Sequence, residues 1–282
     1  MRSLLQSYSR SEAGRSLDAA LVVDRAGGRS ILRRQHIGYP LHITRGFYLD
    51  TSRPDLLTLY LQSAAGGLYA GDRIKLDVTV GADAAFHTTT QAATVVHDGR
   101  SSGAIQRQHI GIEAGAFCAM TSDPYVLFPG ADLALETEAI VAEDAVLCLA
   151  DGFAVHDPKA KARPFARYEN RLTVLRPDGR LLLKDLGAIE GDELHNGALG
   201  AMTAAANLVL IAPSVRLPKL EQMEQAAVPF CRLAGCSLAP NGAGLVLRML
   251  APDGGALARA LDAAFHVAAE AVLGVALARR RK

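Results

Sequence analysis

The sequence predicts an all-β fold, mainly β, with a β-helical or stacked-sheet body of many short strands and a few α-helices, including a C-terminal helix. Three observations support this. Apolar residues alternate with a period of two along most of the chain, glycine and proline turns separate these segments, and helical spacing occurs only late. The simplest partition is a single domain over residues 1–282, with a core at about 21–277, a short N-terminal segment and a basic C-terminal tail.

The strands are predicted in order from alternation and turn chemistry. In residues 74–80 four aliphatic side chains alternate with Lys75, Asp77 and Thr79, which is typical of a strand with one buried face. Ten further segments are predicted as strands, at 21–25, 30–35, 56–62, 84–91, 105–112, 146–150, 171–175, 180–185, 207–211 and 244–250. Many short strands without intervening helices argue against a doubly wound parallel sheet and for a sandwich, a barrel or a β-helical stack.

Helices are predicted only in the last quarter of the chain. Residues 219–227 form a short candidate, and apolar residues at three- and four-residue steps between Leu257 and Val275 predict a longer C-terminal helix. The chain ends in Arg279, Arg280, Arg281 and Lys282, which we interpret as a solvated basic tail at the favourable end of the helix dipole.

The composition excludes several classes of function. Lys and Arg number 30 and Asp and Glu 29, a net charge of +1 that argues against a nucleic-acid binder. Aromatic residues make up only 5% of the chain and tryptophan is missing, which argues against stacking sites for bases or sugars. The start resembles no export signal and no apolar stretch reaches the length of a membrane helix, so we expect no membrane partner and a cytoplasmic protein.

Two polar segments stand out as candidate sites. The glycine-rich residues 66–72 (GGLYAGD) lack the ending of a phosphate loop, so they predict a turn whose backbone is bonded by Asp72. Residues 86–98 place a run of threonines between His87 and His97. Such a run suits a purely structural polar ladder on a strand, or the lining of a water-filled passage or partner surface, with the two histidines as candidate metal ligands.

A third segment permits a catalytic alternative. Asp151, His156 and Asp157 bring two carboxylates and an imidazole close together in sequence at a predicted strand end, so an all-β hydrolase or lyase is the alternative hypothesis. No nucleophile elbow, zinc-binding helix or Ser-His-Asp order accompanies them, which argues for a protein that is not an enzyme. The spacing of Cys231 and Cys236 likewise differs from that of a zinc knuckle.

Three segments in this order and spacing, 66–72 (GGLYAGD), 89–94 (TTQAAT) and 123–131 (DPYVLFPGA), resemble the UreD family of urease accessory proteins, called UreH in some bacteria. The resemblance covers most of the chain, from about residue 21 to the terminal helix. It implies a mainly β, β-helical scaffold that is not an enzyme. Such scaffolds bind the accessory protein UreF and, through it, the nickel-carrying GTPase UreG, and the assembly docks on the urease apoprotein.

The resemblance also implies a role for particular residues. Nickel released by UreG is expected to travel through an internal passage towards the urease active site, so no cofactor is expected to be tightly bound and nickel is in transit. By motif position, the residues carried over as passage-lining or partner-contact groups are Asp72, Thr89, Thr90, Gln91, Thr94 and Asp151. His87, His97 and His156 are the candidate ligands for transient nickel, since tight ligation would trap the ion. A purely structural partner protein without a metal role stays open.

Overall fold

The computed structural model describes residues 14–100, 102–196 and 201–280. The N-terminal segment before residue 14 and the last two residues of the predicted basic tail lie outside these ranges. Within them, no helix is long and apolar enough to cross a membrane.

The described chain is mainly β, with seventeen strands and three α-helices. The strands are β1 (Ser16–Ala26), β2 (Arg29–His36), β3 (Leu41–Ile43), β4 (Leu57–Ser63), β5 (Arg73–Val80), β6 (Ala85–Thr90), β7 (Val95–Val96), β8 (Ala104–Ile112), β9 (Phe117–Thr121), β10 (Tyr125–Leu127), β11 (Asp132–Val141), β12 (Val146–Val155), β13 (Arg167–Leu175), β14 (Leu181–Glu190), β15 (Ala204–Ile211), β16 (Leu233–Leu238) and β17 (Gly244–Ala251). The helices are α1 (Gly191–Asn196), α2 (Leu220–Ala227) and α3 (Gly254–Leu273).

From β4 to β13 the chain passes repeatedly from one of two sheets to the other. The first sheet has the order β14-β13-β11-β8-β5-β1-β2, in which β1, β5, β8, β11 and β13 run parallel. The second has the order β16-β17-β15-β12-β9-β6-β4-β3, with β4, β6, β9 and β12 parallel, the short β10 beside β12, and β7 beside β10. The chain therefore winds as a β-solenoid of about four turns, which confirms the predicted fold class.

Three apolar clusters hold the solenoid and its helices together. One fills one end of the space between the two sheets and includes Leu76, Phe86 and Leu147. A second packs α2 and α3 against the outer face of the second sheet. A third, which includes Leu133 and Phe153, fills the other end of the solenoid interior. The interior is thus apolar at both ends, and the strands carry polar residues between these two clusters.

The structure corrects two details predicted from the sequence. Six strands, β3, β7, β9, β10, β11 and β16, and the short helix α1 lie outside the predicted segments. In β11 the apolar residues do alternate, but small alanines and the inward-facing Thr137 interrupt the pattern. The basic tail is not wholly solvated, because the side chain of Arg280 is only 4% exposed and pairs with the buried Asp50.

Candidate functional site

A layer of polar side chains crosses the middle of the solenoid. On β8 the inward positions run from Ala104 through Gln106 and Gln108 to the buried Ile110, so two amides interrupt an apolar row. Thr137 on β11 and Asn170 on β13 line the same internal space as Gln108. Strand pairing brings these residues together. Strands β8, β11 and β13 are parallel neighbours, and side chains two residues apart along each strand lie on the same face of the sheet.

Asp151 is the only carboxylate on β12 and faces this polar layer between the inward-facing Leu149 and Phe153. Asn207, its register partner on β15, donates a hydrogen bond from Nδ2 to Asp151 Oδ1 at 3.2 Å. Burial raises the pKa of Asp151 to about 7, and the hydrogen bond from Asn207 offsets only part of this rise. A carboxyl group with this pKa is a mixture of neutral and charged forms at neutral pH.

Two tyrosines border the same layer. The Tyr125 hydroxyl donates to Gln106 Oε1 at 2.8 Å, and burial raises the pKa of this phenol above its ordinary value. Burial likewise raises the pKa of Tyr168 well above 10, with a further contribution from the charge of Asp151. Both phenols therefore stay neutral; the Tyr125 hydroxyl donates a hydrogen bond, whereas the buried Tyr168 hydroxyl has no hydrogen-bond partner among the described residues.

Three spaces follow one another along this layer. A first, internal cavity of about 40 Å³ lies between the two sheets. A second cavity, of about 30 Å³, lies between the second sheet and α3. Both volumes are the space that the centre of a water-sized sphere can occupy. Each exceeds the roughly 10–15 Å³ that one water needs, so both are large enough to be hydrated. A wider surface pocket of about 400 Å³ opens on the other side of Asp151.

These spaces share lining residues. Asp151 borders both the surface pocket and the first cavity. Ser122 and Asp123, in the link between β9 and β10, border both cavities. The second cavity is lined by His87, Thr89, Thr121, Ala258, Leu261, Asp262, Phe265 and Arg280 besides Ser122 and Asp123. The side chains that line two spaces thus connect the three spaces into one series, in which the two cavities carry polar groups and the surface pocket is mainly apolar.

The predicted threonine strand contributes unequally to this series. The Thr89 hydroxyl donates to Thr121 O at 2.7 Å, and Thr90 Oγ1 accepts from the Asp123 amide at 2.8 Å, so both fix the link between the cavities. Gln91 is exposed and bonds the side chain of Gln62. Thr94 lies beyond the end of β6, partly exposed, and only its carbonyl has a described bond, from Val126 N at 2.9 Å.

Asp72 is buried in the glycine turn, as the turn interpretation predicts. It accepts hydrogen bonds from the Arg15 amide at 3.0 Å and the Tyr69 amide at 2.8 Å, and it pairs with the Arg15 guanidinium. Burial alone would raise the pKa of Asp72, but the Arg15 and Tyr69 hydrogen bonds outweigh it and lower the pKa. Gly67 lets the turn approach Val95 O, where an added Cβ would lie at 2.2 Å.

The three candidate histidines lie in different surroundings. His87 is buried beside Phe265 and lines the second cavity. His97 stacks on Tyr69 with a centroid distance of 4.3 Å, and exposed His156 packs on Phe128 at 5.7 Å. In the described part of the chain no three His, Cys, Asp or Glu side chains cluster as a metal site.

The groups of the alternative catalytic hypothesis also have separate partners. Asp151 faces the interior, whereas Asp157 bonds the Arg163 guanidinium at 2.7 Å and three backbone amides of its own loop. The hydrogen bonds from Arg163 lower the pKa of Asp157 far below its ordinary value, so it stays charged and is a poor proton acceptor. No described contact joins Asp151, His156 and Asp157 into an acid–base site.

Sequence reasoning did not single out several residues of the polar layer. Gln106, Gln108, Thr137, Asn170 and Asn207 carry most of its hydrogen-bonding groups. The signal that could have found them is alternation itself, since each polar residue or pair of polar residues occupies inward positions within an otherwise apolar row.

Fold and site together define a class of protein: a β-solenoid scaffold with a polar interior and no assembled catalytic group among the described residues. Residues 16–282 match the model of the UreD urease accessory protein family. The chain is similar to urease accessory protein UreD 3 of Bradyrhizobium sp. strain ORS 278, with 70% identity over 282 residues and full coverage of both chains. It is also similar to UreD 1 of Bradyrhizobium sp. strain BTAi1, at 67% with full coverage of both.

A more distant relative, UreD 1 of Methylorubrum extorquens, is 43% identical over 95% of this chain and 92% of its own. The chain belongs to the UreD family of urease accessory proteins. It is therefore a non-catalytic accessory protein of urease maturation, a chaperone for assembly of the nickel metallocentre, and the hydrolase or lyase alternative is set aside.

Proposed function

We propose that this chain conducts nickel through its polar interior, along the series of sites that passes Asp151. The observation that carries the proposal is the position of Asp151 between a surface pocket and an internal cavity. The cargo would enter or leave at the pocket, pass Asp151, and continue past Ser122 and Asp123 into the second cavity.

The ligands along this path suit a cation in transit. Carboxylate, amide and hydroxyl oxygens hold nickel less tightly than thiolates or a cluster of imidazoles do. Asp151 supplies a partial charge at neutral pH because its pKa is raised to about 7. The cysteines do not compete, since burial raises the pKa of Cys148 to about 12 and that of Cys231 and Cys236 to about 11.

The remaining site residues would act beside the path. Thr89 and Thr90 fix the link that joins the two cavities. Asp72 would act indirectly, by holding the turn that presents Tyr69 and the stacked His97 at the surface. Gln91 and Thr94 would contact a partner. His97 and His156 would meet nickel only at the surface, and His87 within the second cavity.

We further propose that the chain works in the cytoplasm in a complex with UreF and, through UreF, the GTPase UreG, docked on the urease apoprotein. GTP hydrolysis by UreG would release nickel into the path. The relatives' names support the role in urease maturation, and the polar interior supports the passage.

Co-expression tests both statements. Urease subunits, UreF and UreG are produced with the wild-type chain, with no chain, with Asp151→Ala or with the control Glu138→Ala on the exposed outer face of β11. We expect the wild-type and control chains to co-purify with the partners and load urease with nickel. Asp151→Ala should co-purify equally but deliver several-fold less nickel. Full loading without the chain would reject the role in maturation, and full loading with Asp151→Ala would reject the path.

A further inference from the structure

The C-terminal segment returns to the body of the protein after α3. Gly274 closes the helix in a left-handed conformation, and Ser52 Oγ then donates to Ala276 O at 2.9 Å. The Ala278 amide donates to Asp50 Oδ1 at 2.6 Å. Arg280 then lines the second cavity and pairs with Asp50, and the two side chains are 4% and 0% exposed.

Three potential metal ligands converge on one nitrogen of Arg280. Its Nη2 lies 2.8 Å from Asp50 Oδ2, 3.4 Å from Thr58 Oγ1 and 3.3 Å from His87 Nδ1. A carboxylate oxygen, a hydroxyl oxygen and an imidazole nitrogen thus surround a single positively charged point. This mixture of oxygen and nitrogen donors suits a borderline divalent cation such as nickel, cobalt or zinc.

The imidazole is held in the form that a metal needs. Because a guanidinium only donates hydrogen bonds, His87 Nδ1 must be the acceptor and Nε2 carries the proton. Nε2 then donates to Thr121 Oγ1 at 2.7 Å, and the ring packs on Phe265 at 4.7 Å. A hydrogen bond of this kind on the second ring nitrogen is what orients metal-binding histidines in proteins.

Arg280 itself is incompletely satisfied. Its Nε is buried and has no hydrogen-bond partner among the described residues. A buried donor without a partner costs free energy, so part of the gain from the Asp50 ion pair is lost.

We propose that Arg280 occupies a latent binding site for a borderline divalent cation, formed by Asp50, Thr58 and His87, which opens when the C-terminal segment withdraws. With Arg280 in place its charge repels a second cation from the cavity. With Arg280 withdrawn, the negative charge of the buried Asp50 carboxylate has no positive partner, so the carboxylate attracts a divalent cation. The site stands on these contacts alone, and only its use as a stopping point for nickel rests on the proposed function.

The test is a titration of the full-length chain with NiCl2 by calorimetry, with CoCl2 as an absorption probe. Removing the competing side chain in Arg280→Ala should tighten nickel binding by about tenfold or more, because the open site is then always available. Arg279→Ala is the matched control, since the Arg279 side chain is exposed and its described ion pair is a long one, 3.9 Å from Asp262. It should bind as the wild type does.

The double variant Arg280→Ala/His87→Ala should lose the gain and the nitrogen contribution to the cobalt spectrum. Arg280→Gln, which keeps a donor for Asp50 without the charge, should show the same gain if the alanine variant fails to fold. No gain in a folded Arg280 variant, or a gain that survives loss of His87, would overturn the proposal. Urease is not part of this test, so a negative result removes the latent site and leaves the passage to be judged by Asp151.

Discussion

Asp151→Asn separates the chemistry of the passage from the stability of the fold. In the folded chain the pKa of Asp151 is raised to about 7 from an ordinary value of 3.8. Below pH 3.8 both states keep the proton, so the carboxyl group has no effect on the free energy of unfolding. As pH rises towards 7 the unfolded chain releases the proton first, and the folded state is increasingly penalised. At about 1.4 kcal/mol for each tenfold change, the full penalty is at most about 4 kcal/mol and is complete above pH 7.

Asparagine has nearly the same shape and no charge, so Asp151→Asn should raise stability at pH 8 by about 1–4 kcal/mol and change it little at pH 4. Urea unfolding at both pH values measures this difference. The same variant should reduce nickel loading of co-expressed urease, because a neutral amide binds a cation more weakly than a carboxylate. Equal destabilisation at both pH values would refute the burial of an ionisable group at this position. A more stable variant with normal nickel loading would refute its role in transit.

Three further predictions concern residues that lie outside the proposed nickel path. Asp72→Ala should lower the free energy of unfolding by about 2–3 kcal/mol at pH 7, because Arg15 loses its ion-pair partner. The loss should become smaller at low pH, where the wild-type carboxylate is itself protonated. Urea unfolding at two pH values measures both effects. Gly244→Ala should prevent stable folding, because the added Cβ would lie 1.8 Å from a carbonyl oxygen of β15, whereas Gly187→Ala, with open space, should leave the melting temperature nearly unchanged. Asp157→Ala should free the loop that it bonds, and trypsin should cut there faster without any change in nickel loading; equal cutting would contradict this.

Strand alternation and turn chemistry predicted a mainly β chain but left a sandwich, a barrel and a β-helical stack open, and the family resemblance implied the β-helical body. The pattern failed at β11, where Ala139 and Thr137 replace the large aliphatic residues that make alternation visible. It failed at β9 for a related reason: Phe117 to Met120 are all buried, so no polar outward positions reveal a strand.

The site was only partly predictable. The family resemblance pointed to Asp151 and the threonine strand, and the structure places Asp151, Thr89 and Thr90 at or beside the cavities. The amides that complete the polar layer come from strands far apart in sequence, so only the winding of the chain brings them together. The burial of Arg280 was unpredictable for the same reason, because its partner Asp50 lies at the opposite end of the chain.

The passage of nickel through the interior is tested most directly by blocking it. Thr137 lines the first cavity, and Glu138, the next residue on β11, is exposed on the outer face. Thr137→Met should fill the cavity while the chain still co-purifies with UreF and urease, and the nickel content per urease active site should fall several-fold. Glu138→Met should leave it unchanged. Equal nickel content with both variants would contradict transport through the interior.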